Sequence, residues 1–104
     1  MLVRAVREEQ KMSKIMFYGR ECPHCRAMMP QVEKMEKETG IVLDKREVWH
    51  EEKNADLMRS YRSVIAAKCG GQLRVPAFLN PGTKDALCGE VEYEKLKDWA
   101  LKQA

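Results

Sequence analysis

Hydrophobic and charged positions alternate along the chain in a pattern that predicts four short strands and three helices. Ile15 to Tyr18 is an uninterrupted apolar run. Residues 14–18 therefore read as a strand that is buried on both faces and central in its sheet. Between Pro23 and Thr39 the apolar residues Cys25, Met28, Met29, Val32 and Met35 recur at helical spacing, with Gly40 as the stop. Pro30 lies inside that helix and is expected to kink it by removing a hydrogen bond. Residues 41–49 read as a second strand whose charged middle, Asp44 to Glu47, suits a sheet edge. Residues 51–68 read as one helix with Leu57, Met58, Tyr61, Val64 and Ile65 on one face, ended by Cys69-Gly70-Gly71. A third strand is expected over 76–79 and a fourth over 86–88, joined by a hairpin through the turn residues Asn80, Pro81 and Gly82. A last helix, 93–102, turns Tyr93, Leu96, Trp99 and Ala100 inward. The order β-α-β-α-β-β-α predicts an α/β fold. Parallel units joined by right-handed crossovers, followed by an antiparallel hairpin, give a four-stranded mixed sheet with helices on both faces.

Composition narrows the class. A chain of 104 residues is expected to be a single domain with one core, residues 1–13 adding a short helix or arm. The net charge of +3 is spread over interspersed acids and bases, so no nucleic-acid partner is expected. No apolar segment approaches the roughly 18 residues of a membrane span. The start of the chain is too charged for the apolar stretch of a signal peptide. Four cysteines can form the disulfide framework of a small secreted domain. In this longer, well-patterned chain a reducing, cytoplasmic compartment and a monomer are expected instead.

The chemistry concentrates in Phe17-Tyr18-Gly19-Arg20-Glu21-Cys22-Pro23-His24-Cys25. A strand, a brief turn and a C-x-x-C opening a helix form a redox pattern. Cys22 falls at the helix N-terminus, where unpaired N–H groups and the helix dipole favour an anion such as a thiolate. Pro23 suits the first turn, where its missing N–H costs nothing. Cys25 lies close to one turn on and can close a small disulfide ring with Cys22. His24, between the cysteines, can stabilise a Cys22 thiolate through its N–H or as imidazolium. A structural zinc site wants four ligands, usually as two such pairs, and the sequence holds one pair.

These residues resemble the active site of the thioredoxin superfamily. Pro30, five residues after Cys25, matches its helix-kinking proline. Val75-Pro76 looks like the Val–cis-Pro pair of glutaredoxins and DsbA-type oxidases, and Cys-Pro-His-Cys is the DsbA tetrapeptide. The resemblance extends over residues 14–101 and is carried by these motifs. It implies a thioredoxin-like fold of glutaredoxin size and a thiol–disulfide oxidoreductase with Cys22 as nucleophile and Cys25 as resolving thiol. It implies a cis bond before Pro76, with Val75, Pro76, Tyr18 and Arg74 binding substrate. The implied partners are protein disulfides and an electron donor, either a thioredoxin-reductase-like enzyme or glutathione. The redox-active disulfide itself would serve in place of a bound cofactor, and no metal is expected.

The chain also departs from the family pattern. Met16 stands where thioredoxin has a buried acid, and Glu21 where it has tryptophan. Arg74-Val75-Pro76 replaces the usual Thr-Val-Pro, and Cys88-Gly89-Glu90 replaces a Gly-Gly followed by acids. In such a fold Cys69 and Cys88 lie on the same side as Cys22. They can form a second disulfide, relay oxidation or help bind a metal. The plainer expectation is that both are small buried hydrophobes. The rival classes for the whole chain are a metal- or Fe–S-binding module and a redox-silent interaction domain.

Overall fold

The computed structural model describes residues 13–102. The N-terminal arm or helix expected over residues 1–13 lies almost wholly outside the described residues. The elements are β1 (Ile15–Tyr18), α1 (Pro23–Thr39), β2 (Asp44–Glu47), α2 (Glu52–Ser60), α3 (Arg62–Lys68), β3 (Ala77–Asn80), β4 (Asp85–Cys88) and α4 (Tyr93–Lys102). They build an α/β fold whose four-stranded mixed sheet has the order β2-β1-β3-β4. Strand β1 pairs parallel with β2 and antiparallel with β3, and β3 pairs antiparallel with β4. The central strand is therefore the apolar one and the charged strand is an edge. Exposure follows the same division: Ile15, Met16 and Phe17 are buried, whereas in β2 only Glu47 is.

Side chains alternate across the sheet, so each strand feeds two cores. Met16 and Phe78 pack with Met28, Val32 and Met35 of α1 and with Leu96, Trp99 and Ala100 of α4. Ile15, Phe17, Ala77 and Leu79 pack on the other face with Met58 of α2 and Ile65 of α3. Helices thus cover both faces, as the alternation of elements implies. In α1 the buried positions Cys25, Met28, Val32 and Met35 form the inward stripe, and Gly40 closes the helix in the left-handed region at φ 77°. Met16, Met28 and Met35 fill the core on one face and Met58 on the other.

Three expectations change. The second strand is shorter than 41–49, because its pairing with β1 ends where β1 does. The helix expected over 51–68 is two helices that meet at Tyr61, whose N–H bonds back to Met58 O at 3.1 Å. No glycine or proline marks that break. It lets α2 pack along β2 and α3 along β4, the two opposite edges of the sheet. The connection after β2 also returns the chain antiparallel to β1, where a second parallel unit was expected. In the β3–β4 hairpin, Asn80 Oδ1 accepts the N–H of Gly82 at 2.9 Å, a local bond typical of an Asx turn.

Candidate functional site

Strand β1 ends at Tyr18, and Gly19 to Glu21 carry the chain over the sheet edge to Cys22, the N-cap of α1. Cys22 N–H donates to Gly19 O at 3.1 Å, closing the turn. The sulfur of Cys22 takes the place of a capping oxygen: it accepts the backbone N–H of Cys25 at 3.3 Å. Its other neighbour is the carbonyl of Val75, 3.8 Å away, so the thiol donates across to a second loop. The bond from Val75 to Pro76 is cis. Sequence residues 53 apart therefore meet at one sulfur. Both Cys22 and Cys25 are buried free thiols. Burial pushes the Cys25 thiol up to about 12, reinforced by its hydrogen bond with Cys22.

The loop before Cys22 is braced from β2 by a group the sequence pattern did not single out. Glu47 is buried, and its carboxylate accepts N–H groups from Arg20 at 2.8 Å, His50 at 2.7 Å and Glu51 at 3.2 Å. One carboxylate thus holds the loop before Cys22 and the entry to α2 together. Burial works to raise its pKa. The backbone donors of His50, Arg20 and Trp49 outweigh that and hold it below the ordinary value of 4.5. A depressed folded-state pKa means a stabilisation that is present above the unfolded value and lost as pH falls through the folded one. Glu47→Gln is accordingly expected to lower the thermal midpoint at neutral pH and to flatten its decline on acidification below pH 4.5. Circular dichroism melts across that range check this, and parallel acid profiles for the two chains would speak against it.

Trp49 is a second residue the sequence pattern left without a role. It is 52% exposed, yet its ring lies against Gly19, where an added Cβ would come within 2.3 Å of it. Only a glycine fits beneath that ring. Glu21, Glu47 and His50 also bring three ligating atoms within 4.8 Å of one another. His50 Nε2 is engaged by Glu21 at 2.8 Å and Glu47 by the backbone, which makes the cluster a hydrogen-bonded bracket on the same loop.

The residues singled out from sequence fall into three places. Cys22 and Cys25 face each other at the start of α1, with Pro23 in its first turn. His24, Arg74, Val75, Pro76, Cys69 and Cys88 line a groove of about 890 Å³. Tyr18 instead packs, half-buried, against the core under α1 and α4. His24 is exposed and its Nδ1 lies 2.8 Å from Glu90 Oε1, so the donor on the Cys22 sulfur is the Cys25 backbone N–H. Glu90, which closes the Cys88-Gly89-Glu90 stretch noted in the sequence, is brought across the groove by its place just after β4.

The expectation that Cys69 and Cys88 are merely buried hydrophobes is overturned, because they form a disulfide with Cα atoms 5.4 Å apart. Cys69 ends α3, Cys88 ends β4, and α3 packs on β4. Nothing in the local sequence marks this pairing, which depends on where the break at Tyr61 aims α3.

No family model matches the chain, and no curated protein matches it in sequence.

Alkylation reads the contrast between the two free thiols directly. Cys25 remains a thiol far into the alkaline range, and the thiolate is the reactive form. Near pH 8 iodoacetamide is expected to label Cys22 and to spare Cys25, as read by peptide mass spectrometry. Equal labelling of both would count against this asymmetry.

Proposed function

We propose that this chain is a thiol–disulfide oxidoreductase with a thioredoxin-like fold, using Cys22 and Cys25 on protein or glutathione disulfides. The observation that carries the reading is the placement of the Cys22 sulfur. It caps α1, accepts the Cys25 N–H, and touches the carbonyl before a cis proline. The sulfur sits at a helix N-terminus, where unpaired N–H groups and the helix dipole favour an anion. The Cys22 thiolate attacks one sulfur of a substrate disulfide, the other sulfur leaves with its electron pair, and a mixed disulfide forms. Cys25 then attacks Cys22 and releases the second substrate thiol.

The high pKa of Cys25 keeps it protonated until it is needed. The part of that rise owed to the hydrogen bond and charge of Cys22 ends once Cys22 is bonded to substrate. The resolving thiol therefore becomes easier to deprotonate at the step that uses it. Val75 presents backbone beside Cys22 to an extended substrate segment, and exposed Arg74 can bind a carboxylate at the groove. A thioredoxin-reductase-like enzyme or glutathione would return the electrons, in a reducing cytoplasm.

The second disulfide occupies two of the four cysteines, so the rival metal or Fe–S module would hold its group through Cys22 and Cys25, shared between two chains.

The test is the reduction potential of Cys22–Cys25 in C69S/C88S, titrated in thiol–disulfide buffers. A reversible two-electron couple between about −270 and −120 mV supports the reading, the low end marking a reductase and the high end an oxidant. The absence of any Cys22–Cys25 disulfide over that range would sink it.

A further inference from the structure

We infer that Cys69–Cys88 is a second redox centre, which exchanges electrons with Cys22 and Cys25 inside the chain. This rests on the reading of Cys22–Cys25 as a redox pair and extends it to a relay.

Three contacts join the segments that carry the two cysteine pairs. The Cys22 sulfur lies on Val75 O. The next carbonyl, that of Pro76, accepts the N–H of Gly89, the residue after Cys88, at 2.8 Å. His24, between Cys22 and Cys25, pairs with Glu90, two residues after Cys88. Cys88 is also the register partner of Ala77, two residues beyond the Val75 that Cys22 touches. The Cys69–Cys88 bond and His24 line one groove, and Cys88 is only half-buried there. Glycines follow both cysteines directly: Gly70 and Gly89 have φ of 74° and 88° and open space around them. Each cysteine therefore ends a regular element at a residue with wide backbone freedom, which suits a sulfur that must change partners.

The exchange balances without an outside reagent. The Cys22 thiolate attacks Cys88 Sγ; a Cys22–Cys88 bond forms, the Cys69–Cys88 bond breaks, and Cys69 leaves with the electron pair and takes a proton from solvent. Cys25 passes its proton to solvent and attacks Cys22 Sγ. The Cys22–Cys25 bond forms, and Cys88 leaves as a thiolate and is protonated. Two electrons pass from Cys22/Cys25 to Cys69/Cys88. A disulfide substrate docked in the groove could then be reduced at either pair, and a dithiol donor could enter at either.

Trapping the intermediate tests this. C25S keeps Cys22, Cys69 and Cys88 but cannot resolve the mixed bond. After equilibration in glutathione buffer, alkylation and digestion, the relay gives a Cys22–Cys88 linked peptide with Cys69 alkylated, matched by an equal loss of the Cys69–Cys88 peptide. If Cys69–Cys88 stays whole in every molecule and Cys22 carries only the alkyl group or glutathione, the relay is overturned. C25S/C69S, checked for native circular dichroism, holds only Cys22 and Cys88. Under the relay these close an intramolecular bond, whereas two separate glutathione adducts overturn it. The couple measured in C69S/C88S tells the two failures apart. If Cys22–Cys25 forms reversibly there while no Cys22–Cys88 peptide appears in C25S, the relay alone falls. If Cys22–Cys25 never forms, the underlying reading falls and takes the relay with it.

Discussion

Cys22→Ser is expected to reduce insulin disulfides no faster than buffer with the same dithiol donor, a complete loss of catalysis. The attacking atom must be a thiolate, and a serine hydroxyl neither ionises near neutral pH nor exchanges with a disulfide. Folding should survive the change. Among the described residues the backbone donor on the Cys22 sulfur is the Cys25 N–H, and serine is among the best residues at a helix N-cap. The loss would therefore report chemistry and not collapse of the site. Cys25→Ser should behave differently, since attack remains possible while release does not. That variant should accumulate a mixed disulfide with substrate, visible by mass spectrometry. Turnover retained in Cys22→Ser would remove Cys22 from the mechanism.

The largest expected effect on stability is at Phe78. Its side chain is fully buried on the third strand, between Met16 and Leu87 in register. It packs among Met28, Val32 and Leu96, and its ring lies 6.1 Å from that of Trp99. Truncating such a ring to alanine removes buried apolar area and leaves a cavity, typically costing about 3–5 kcal/mol. Domains of this size are stable by about 5–15 kcal/mol in total. Phe78→Ala should therefore consume a large fraction of the stability and lower the thermal midpoint, at roughly 4–8 °C per kcal/mol. Urea and thermal unfolding followed by circular dichroism would measure it. A loss below about 1 kcal/mol would mean that α1 and α4 close over the gap, contrary to dense core packing.

Both expectations concern residues whose importance is legible at different levels. Cys22 stands out from spacing alone, because C-x-x-C after an apolar strand is a local pattern. Phe78 reads only as one apolar residue of a short strand; its place beneath two helices comes from the sheet order β2-β1-β3-β4. The same division runs through the fold. The helix α1 matches its expected bounds, Pro23–Thr39, because its stripe, its first-turn proline and its Gly40 stop are all local signals. The single helix expected over 51–68 splits at Tyr61, where propensity is silent and packing against two different strands decides.

The sequence by itself determined the alternation of elements, the central apolar strand, the charged edge and the helix-capping position of Cys22. Each depends on periodicity or on residue type within a few positions. Only the tertiary structure decided the Cys69–Cys88 bond, the bracing of Arg20 and His50 by Glu47, and the pairing of His24 with Glu90. Those partners lie between 3 and 66 residues apart, and only Glu47 and His50 are near neighbours in the chain. A long-range contact is fixed by where whole strands and helices come to rest, and no local pattern carries that information. The chemistry of the candidate site begins with a motif, and its setting is supplied by the sheet edge on which four separate segments converge.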